Sequence, residues 1–338
     1  MKKTRGPPVF LGDARRPRSM SSFALTGEPD VNSEHKLTTP IFTYTTKDFC
    51  YDNHDANCND QKDSALGPEH DFQTLLMSRW NESKKHKAMN YDLNCMYKLL
   101  PGDYNLSIQL NVERGQLRRK PMHFRNIEEP FTNLRWNFTK IKQSEILMYL
   151  RCADKPLTSD PLDRHLLIVN ASPLERGHSL VVPCVNRSLP QVLNEVSIKQ
   201  ATDLMLLTRD DNFHVLFNSL LGHASVNHLH VHVLFWPYES DLINRRFEMV
   251  QPDVYVIRQP DWFVPAFAFQ LIKAEDLESF NRRVTKCAKF LTKRNVAHNV
   301  FFTRAQPLRT DGPLHSEDRF GKLPSLVTVY IFPRRSVT

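Results

Sequence analysis

Apolar residues recur along this chain with two periods, and their order predicts an α+β fold. Phe72, Leu75, Leu76 and Trp80 stand at helical spacing and predict an opening helix. Pro101-Gly102 marks a turn, after which Leu106, Ile108 and Leu110 alternate as a strand. Residues Asn137–Ile141 and Ile146–Leu150 read as strands. So does His165–Asn170, with Leu-Leu-Ile-Val at its centre. A turn over Ser172–Gly177 leads into His178–Pro183, which makes the two strands a hairpin. Ser188-Leu189-Pro190 predicts a helix start, with Ser as cap and Pro in the first turn. Val192, Leu193, Val196, Leu204 and Leu207 supply that helix's apolar side. Phe213–Leu220 follows as a strand, and the turn Leu221-Gly222-His223 enters the stretch Asn227–Pro237. There His228, His230 and His232 alternate with Leu229, Val231 and Val233. Successive side chains on a strand point to opposite faces, so the three imidazoles share one face.

The order then partly repeats. Val264–Leu271 is strand-like, and Leu277, Phe280, Val284, Cys287, Ala288 and Leu291 trace a helix. Glu275 and Asp276 at its start and Lys293 and Arg294 at its end suit the helix dipole. Asn299–Thr303 and Val327–Pro333 close the series, and the last strand of each half ends in an aromatic residue before Pro. An internal duplication is expected, with one copy carrying histidines and one silent. Residues 1–68 are expected to be poorly ordered. Their basic start is broken by Pro7, Pro8 and Pro17, and Phe49–Asp63 is rich in Asn and Asp.

Composition narrows the setting. The 338 residues suffice for one large domain or two ordinary ones, and 41% are hydrophobic. A net charge of +8 favours an anionic partner without choosing among nucleotide, nucleic acid and membrane. The six cysteines form no C-x-x-C pair, which predicts reduced thiols in a cytoplasmic protein. No run approaches the roughly 20 apolar residues of a membrane span, and no signal peptide is expected. The segment Asn111–Pro121 holds four cations, including Arg114, Arg118 and Arg119. It reads either as a solvated basic loop or as one that approaches a phosphate.

Three imidazoles on one face admit three readings. They suit Zn²⁺, but no carboxylate or cysteine stands close by to complete a ligand set. They could instead carry covalent phosphoryl chemistry, with one neutral imidazole attacking phosphorus and its neighbours donating to the oxygens. The third reading is a polar sheet face with no chemistry.

The run His228-Leu229-His230-Val231-His232 resembles the motif of the histidine-triad superfamily, and Gly177–Pro183 resembles that superfamily's preceding strand. Within the superfamily, several segments resemble the GDP-D-glucose phosphorylases of animals. They are Leu110–Gly115 with Arg118-Arg119 and Pro121, Asn137–Ile141, Asn170–Pro173, Leu189-Pro190-Gln191, Phe217-Asn218-Ser219 and Ala224–Asn227. Those enzymes are related to plant GDP-L-galactose phosphorylases and to galactose-1-phosphate uridylyltransferase. The resemblance runs from about Phe72 to Arg335.

The resemblance implies a histidine-triad-like α+β fold: an antiparallel sheet with flanking helices and two similar halves. A catalytic half over 69–248 and a second half over 249–338 are expected. The compared enzymes continue past the strand matching Val327–Arg335, so the second half is expected to be shortened and to end in an exposed sheet edge. The implied reaction is phosphorolysis of a GDP-hexose through a guanylyl-histidine on His230, with His228 and His232 as supporting donors. Asn218, Ser219, Ser225 and Asn227 are candidates for phosphate oxygens. Arg114, Arg118 and Arg119 are candidates for nucleotide or phosphate, and His178 for a structural hydrogen bond. No metal or cofactor, no nucleic acid and no membrane are expected; a GDP-hexose and inorganic phosphate are the expected partners. The alternatives are a triad-type nucleotide hydrolase and a non-catalytic nucleotide-binding homologue.

Overall fold

The computed structural model describes residues 39–54, 71–119, 122–155, 164–236, 238, 240–310 and 323–336. Their centre is one 11-stranded sheet. Its strands in chain order are β1 (Ile41–Tyr44), β4 (Ile146–Cys152), β5 (His165–Val169), β6 (Ser179–Val182), β7 (Phe213–Asn218), β8 (Val231–Phe235), β9 (Glu248–Gln251), β10 (Val254–Ile257), β11 (Ala266–Gln270), β12 (His298–Ala305) and β13 (Leu326–Pro333). A separate hairpin pairs β2 (Met96–Leu100) with β3 (Leu106–Leu110). The strand order is β1-β4-β5-β6-β8-β7-β12-β13-β11-β10-β9. Every pairing is antiparallel except β1 on β4. With β1 added at one edge, the sheet is two five-stranded halves, β4–β8 and β9–β13, meeting at β7 and β12. Each half inserts one helix at the same point: α3 (Glu195–Leu207) before β7 and α4 (Leu277–Lys293) before β12.

Alternation explains which face is core. Val215, Phe217, Val231, Val233, Val300, Phe302, Val329 and Ile331 join the main apolar cluster with Ile198, Leu204, Phe280 and Val284 of α3 and α4. The opening helix α1 (Phe72–Lys85), capped by the Asp71 carboxylate on the Thr74 N–H, adds Phe72, Leu76 and Trp80. The histidines stand on the opposite face. No helix among the described residues is long and apolar enough to cross a membrane.

Several expectations are corrected here. Residues 39–54 are not a loose arm. Strand β1 buries Phe42 and Tyr44 in the core, and the Tyr44 hydroxyl donates to Asp203 on α3 at 2.8 Å. The rest of 1–68 lies outside the described residues. Asn137–Ile141 is a turn of 3₁₀ helix over Phe138–Lys140, not a strand, because the Asn137 side chain accepts from the Thr139 N–H. Helix α3 starts at Glu195 rather than near Ser188, because Asn194 and Ser197 cap each other. Ser188 itself is left-handed at φ 51°. The basic segment folds as a short helix, α2 (Val112–Leu117), which Asn111 caps through the Arg114 N–H. Strand β13 lies inside the sheet between β12 and β11, so the last strand forms no exposed edge.

Candidate active site

The ladder of β8 begins only at Val231. Before it, the histidine segment is held by other means. Leu229 N–H donates to the Leu189 carbonyl at 2.8 Å. The buried Gln191 amide takes over at His230: its Oε1 accepts the His230 N–H at 2.9 Å, and its Nε2 donates to the carbonyls of His230 (3.1 Å) and Asn218 (3.0 Å). Gln191 is held in turn by its own N–H on Asn227 Oδ1 at 2.8 Å. A side chain thus replaces a strand partner, and the main chain carrying the middle histidine is fixed on both sides.

Each imidazole then has a defined proton. His230 Nδ1 lies 2.8 Å from the His228 carbonyl, an acceptor, so the proton sits on Nδ1 and Nε2 keeps its lone pair. Burial pushes this imidazole down to about 4, so it is neutral at pH 7. His178 Nδ1 accepts the Leu174 N–H at 2.7 Å, which places the His178 proton on Nε2. That N–H points at His232 Nδ1, 2.9 Å away, and leaves His232 with its proton on the outer Nε2. Asn170 Nδ2, 3.1 Å from His178 Nε2, is therefore a neighbour and not a donor to it. His228 Nδ1 accepts the Phe138 N–H at 3.2 Å, which puts its proton on Nε2, a buried nitrogen turned toward the Val185 backbone.

Burial lowers His178 and His228 to about 3. It also holds His232 well below the ordinary range, with His230, His178 and Arg114 adding to the effect. The rings of His230 and His232 lie 5.2 Å apart, and Phe138 packs 5.0 Å from His230 and 5.5 Å from His228. Phe131 meets His228 edge-on at 5.2 Å. The result is one uncharged Nε2 lone pair beside an Nε2–H donor, in a wall of apolar rings. Such a pair can attack phosphorus and steady a phosphate oxygen.

The other sequence candidates divide. Asn218 sits on β7 beside His230, its Oδ1 accepting from Asn299 at 2.6 Å. Ser225 stands half-buried on the turn before the histidines. Arg114 caps the Ser172 carbonyl and adds positive charge near His178 and His232. Ser219 accepts the His298 N–H at 2.9 Å, tying the halves together. Asn227 holds the carbonyls of Glu129 and Pro130 at 3.0 and 3.1 Å. The side chains of Ser219 and Asn227 are therefore engaged within the protein. Arg118 is exposed at the end of α2, and Arg119 stacks over Trp136 with its guanidinium 3.3 Å from the ring centroid. Gln191 and Phe138 carry much of the arrangement and were given no role by sequence reasoning. Gln191 lies where the pattern predicts a helix start that the fold delays to Glu195, and Phe138 lies in a 3₁₀ turn where the pattern predicts a strand.

Among the described residues no group of three or more His, Cys, Asp or Glu is arranged to hold a metal ion. A cavity of about 230 Å³ lies at the far end of β8, lined by Gln73 and Met77 of α1 with Glu175, Arg176, Asn212 and Trp236. Its lining includes none of the four histidines.

Residues 71–234 match the family described as GDPGP1-like, N-terminal domain. Over 341 residues the chain is 51% identical to GDP-D-glucose phosphorylase 1 of Caenorhabditis elegans, covering 97% of this chain and 69% of that protein. It is 34% identical to GDP-D-glucose phosphorylase 1 of Homo sapiens, over 82% of this chain and 73% of the relative. GDP-L-galactose phosphorylase 2 of Arabidopsis thaliana is 31% identical over 47% of this chain and 40% of its own. Among solved structures, yeast Ap4A phosphorylase in complex with Ap4A superposes with a TM-score of 0.50 at 14% identity, over 78% of this chain and 81% of that one. That likeness is one of fold.

Proposed function

The chain belongs to the GDP-D-glucose phosphorylase family, and from that premise we propose that it converts GDP-D-glucose and inorganic phosphate to glucose 1-phosphate and GDP, with His230 as the nucleophile. The observation that carries the assignment is the His230 Nδ1–H fixed on the His228 carbonyl at 2.8 Å, with burial keeping the ring neutral. The Nε2 lone pair attacks the α-phosphorus of GDP-glucose. The P–N bond forms as the bond from that phosphorus to the bridging oxygen breaks, and glucose 1-phosphate leaves with that oxygen. Inorganic phosphate then attacks the guanylyl-histidine, breaking P–N and releasing GDP with His230 restored. His232 donates its Nε2–H to a phosphate oxygen, held in that tautomer by His178. The two N–H donors of Asn218 reach the same phosphate from the neighbouring strand. His228 braces the segment through the Phe138 N–H.

The test uses GDP-glucose labelled in its α-phosphate. Acid-labile label on the wild type and none on His230→Ala supports the assignment; label persisting on the variant removes it. Products formed with and without phosphate separate phosphorolysis from hydrolysis.

A further inference from the structure

The half without the histidine motif contributes to the site through one amide. Asn299 on β12 pairs directly with Asn218 on β7, and both side chains lie on the histidine face. Asn299 cannot turn over. Its Oδ1 accepts from Arg334 Nη1 at 2.8 Å, and a guanidinium offers only donors. Its Nδ2 donates to the Gly222 carbonyl at 2.7 Å, and a carbonyl offers only an acceptor. The remaining hydrogen of that Nδ2 points at Asn218, 2.6 Å away. Asn218 must therefore present its oxygen to Asn299 and turn its own NH₂ away. Among the described residues that NH₂ makes no hydrogen bond. The Gln191 Nε2 bridges the carbonyls of Asn218 and His230 at 3.0 and 3.1 Å, which places Asn218 next to the middle histidine.

We infer that Asn299 and Arg334 are positioning residues: they lock the Asn218 amide so that its two N–H donors face the phosphate oxygens bound at His230. The inference rests on the phosphate-binding reading of Asn218. It gives the second half a part in the chemistry, acting across the seam between β7 and β12. A free amide would turn its oxygen toward the phosphate part of the time, repelling it. Locking removes that state before substrate arrives, which is preorganisation.

Asn299→Asp tests this. A carboxylate accepts where Asn299 donated, so Asn218 is expected to reverse and present its oxygen to the phosphate. The rate of label transfer from GDP-glucose to the protein is expected to fall about 30-fold, against about 5-fold for Asn299→Ala, both below the roughly 10²–10³-fold of losing an oriented donor outright. Arg334→Gln, a change at an exposed side chain, is expected to cost about 3-fold. The deciding measurement is a double-mutant cycle. In an Asn218→Ala background the Asn299→Asp and Arg334→Gln changes are expected to cost less than about 2-fold each, because their effect runs through Asn218. Losses that repeat in full in that background overturn the proposal, as does unaltered transfer in Asn299→Asp when Asn218→Ala is impaired. The same cycle on the Kd for GDP, measured by calorimetry, reads amide orientation without turnover. If wild type takes up no label while the cycle on Kd is non-additive, the covalent mechanism fails and the positioning stands. If Asn218→Ala changes neither rate nor Kd, the phosphate-binding reading fails and the positioning falls with it.

Discussion

The two halves of the sheet carry the same elements in the same order, and their central rows can be compared residue by residue. His232 pairs with Leu180 and Leu216, while Tyr330 pairs with Ala268 and Phe301. Leu216 and Phe301 pair with each other at the seam, so Tyr330 holds in the second half the place that His232 holds in the first. Around His232 stand other imidazoles and the donors that set their tautomers. Around Tyr330 stand the rings of Phe247, Phe301 and Phe332, and among the described residues its buried hydroxyl has no partner. The strand frame is common to both. What differs is what the loops deliver to it. Residues 136–140, 170–174 and 189–191 supply polar partners on one side, and aromatic packing fills the other. A frame of this kind can be duplicated cheaply, but each buried imidazole needs partners of its own.

Four changes test that contrast. His230→Ala removes the lone pair assigned as nucleophile and should lower phosphorolysis by at least about 10³-fold. Turnover within 10-fold of wild type would place the chemistry elsewhere. Gln191→Ala leaves the His230 N–H and two carbonyls unpaired in a buried site. At about 1–3 kcal/mol for each orphaned group, a loss of roughly 3 kcal/mol or more in denaturant unfolding is expected.

Stability should also respond to acid. The lowered histidines are neutral in the fold but titrate near 6.5 when unfolded. Below that pH the unfolded chain binds the extra protons, so stability is complete above about 6.5 and falls as pH drops toward 4. For a single buried imidazole lowered to about 4, such as His214, the loss is on the order of 3 kcal/mol. His214→Phe should flatten this limb by about that amount in unfolding measured from pH 7.5 to 4.5, with turnover at pH 7.5 unchanged. An acid limb identical to wild type would show that His214 is not buried neutral. The smallest effect belongs to the silent half. Tyr330→Phe removes an unpaired buried hydroxyl and should stabilise by up to about 1 kcal/mol without altering turnover. A clear loss of stability would mean that the hydroxyl has a partner.

Much of the frame follows from local pattern alone. Alternation over Phe213–Asn218, Val231–Phe235 and Leu326–Pro333, and helical spacing over Leu277–Lys293, define those elements because each must bury one side. The duplication was readable for the same reason, and so was the cluster of three histidines. The repeat by sequence sets the two Pro-terminated strands in register. The ladders instead set His232 against Tyr330, two residues from that alignment, because cross-strand pairing and not strand ending fixes register. Strand β2 was missed because Met96-Tyr97-Lys98-Leu99-Leu100 does not alternate, and β1 because it lies in a polar context and is stabilised by α3 far along the chain.

The sequence by itself determined which residue types face which side and where the imidazoles cluster, since both depend on spacing along one strand. Only the tertiary structure decided what each imidazole can do. The protons on His178, His230 and His232 are set by Leu174, the His228 carbonyl and one another, and the strand carrying them is braced by Gln191, 39 residues away. A tautomer is a property of a partner, and partners are chosen when distant segments meet.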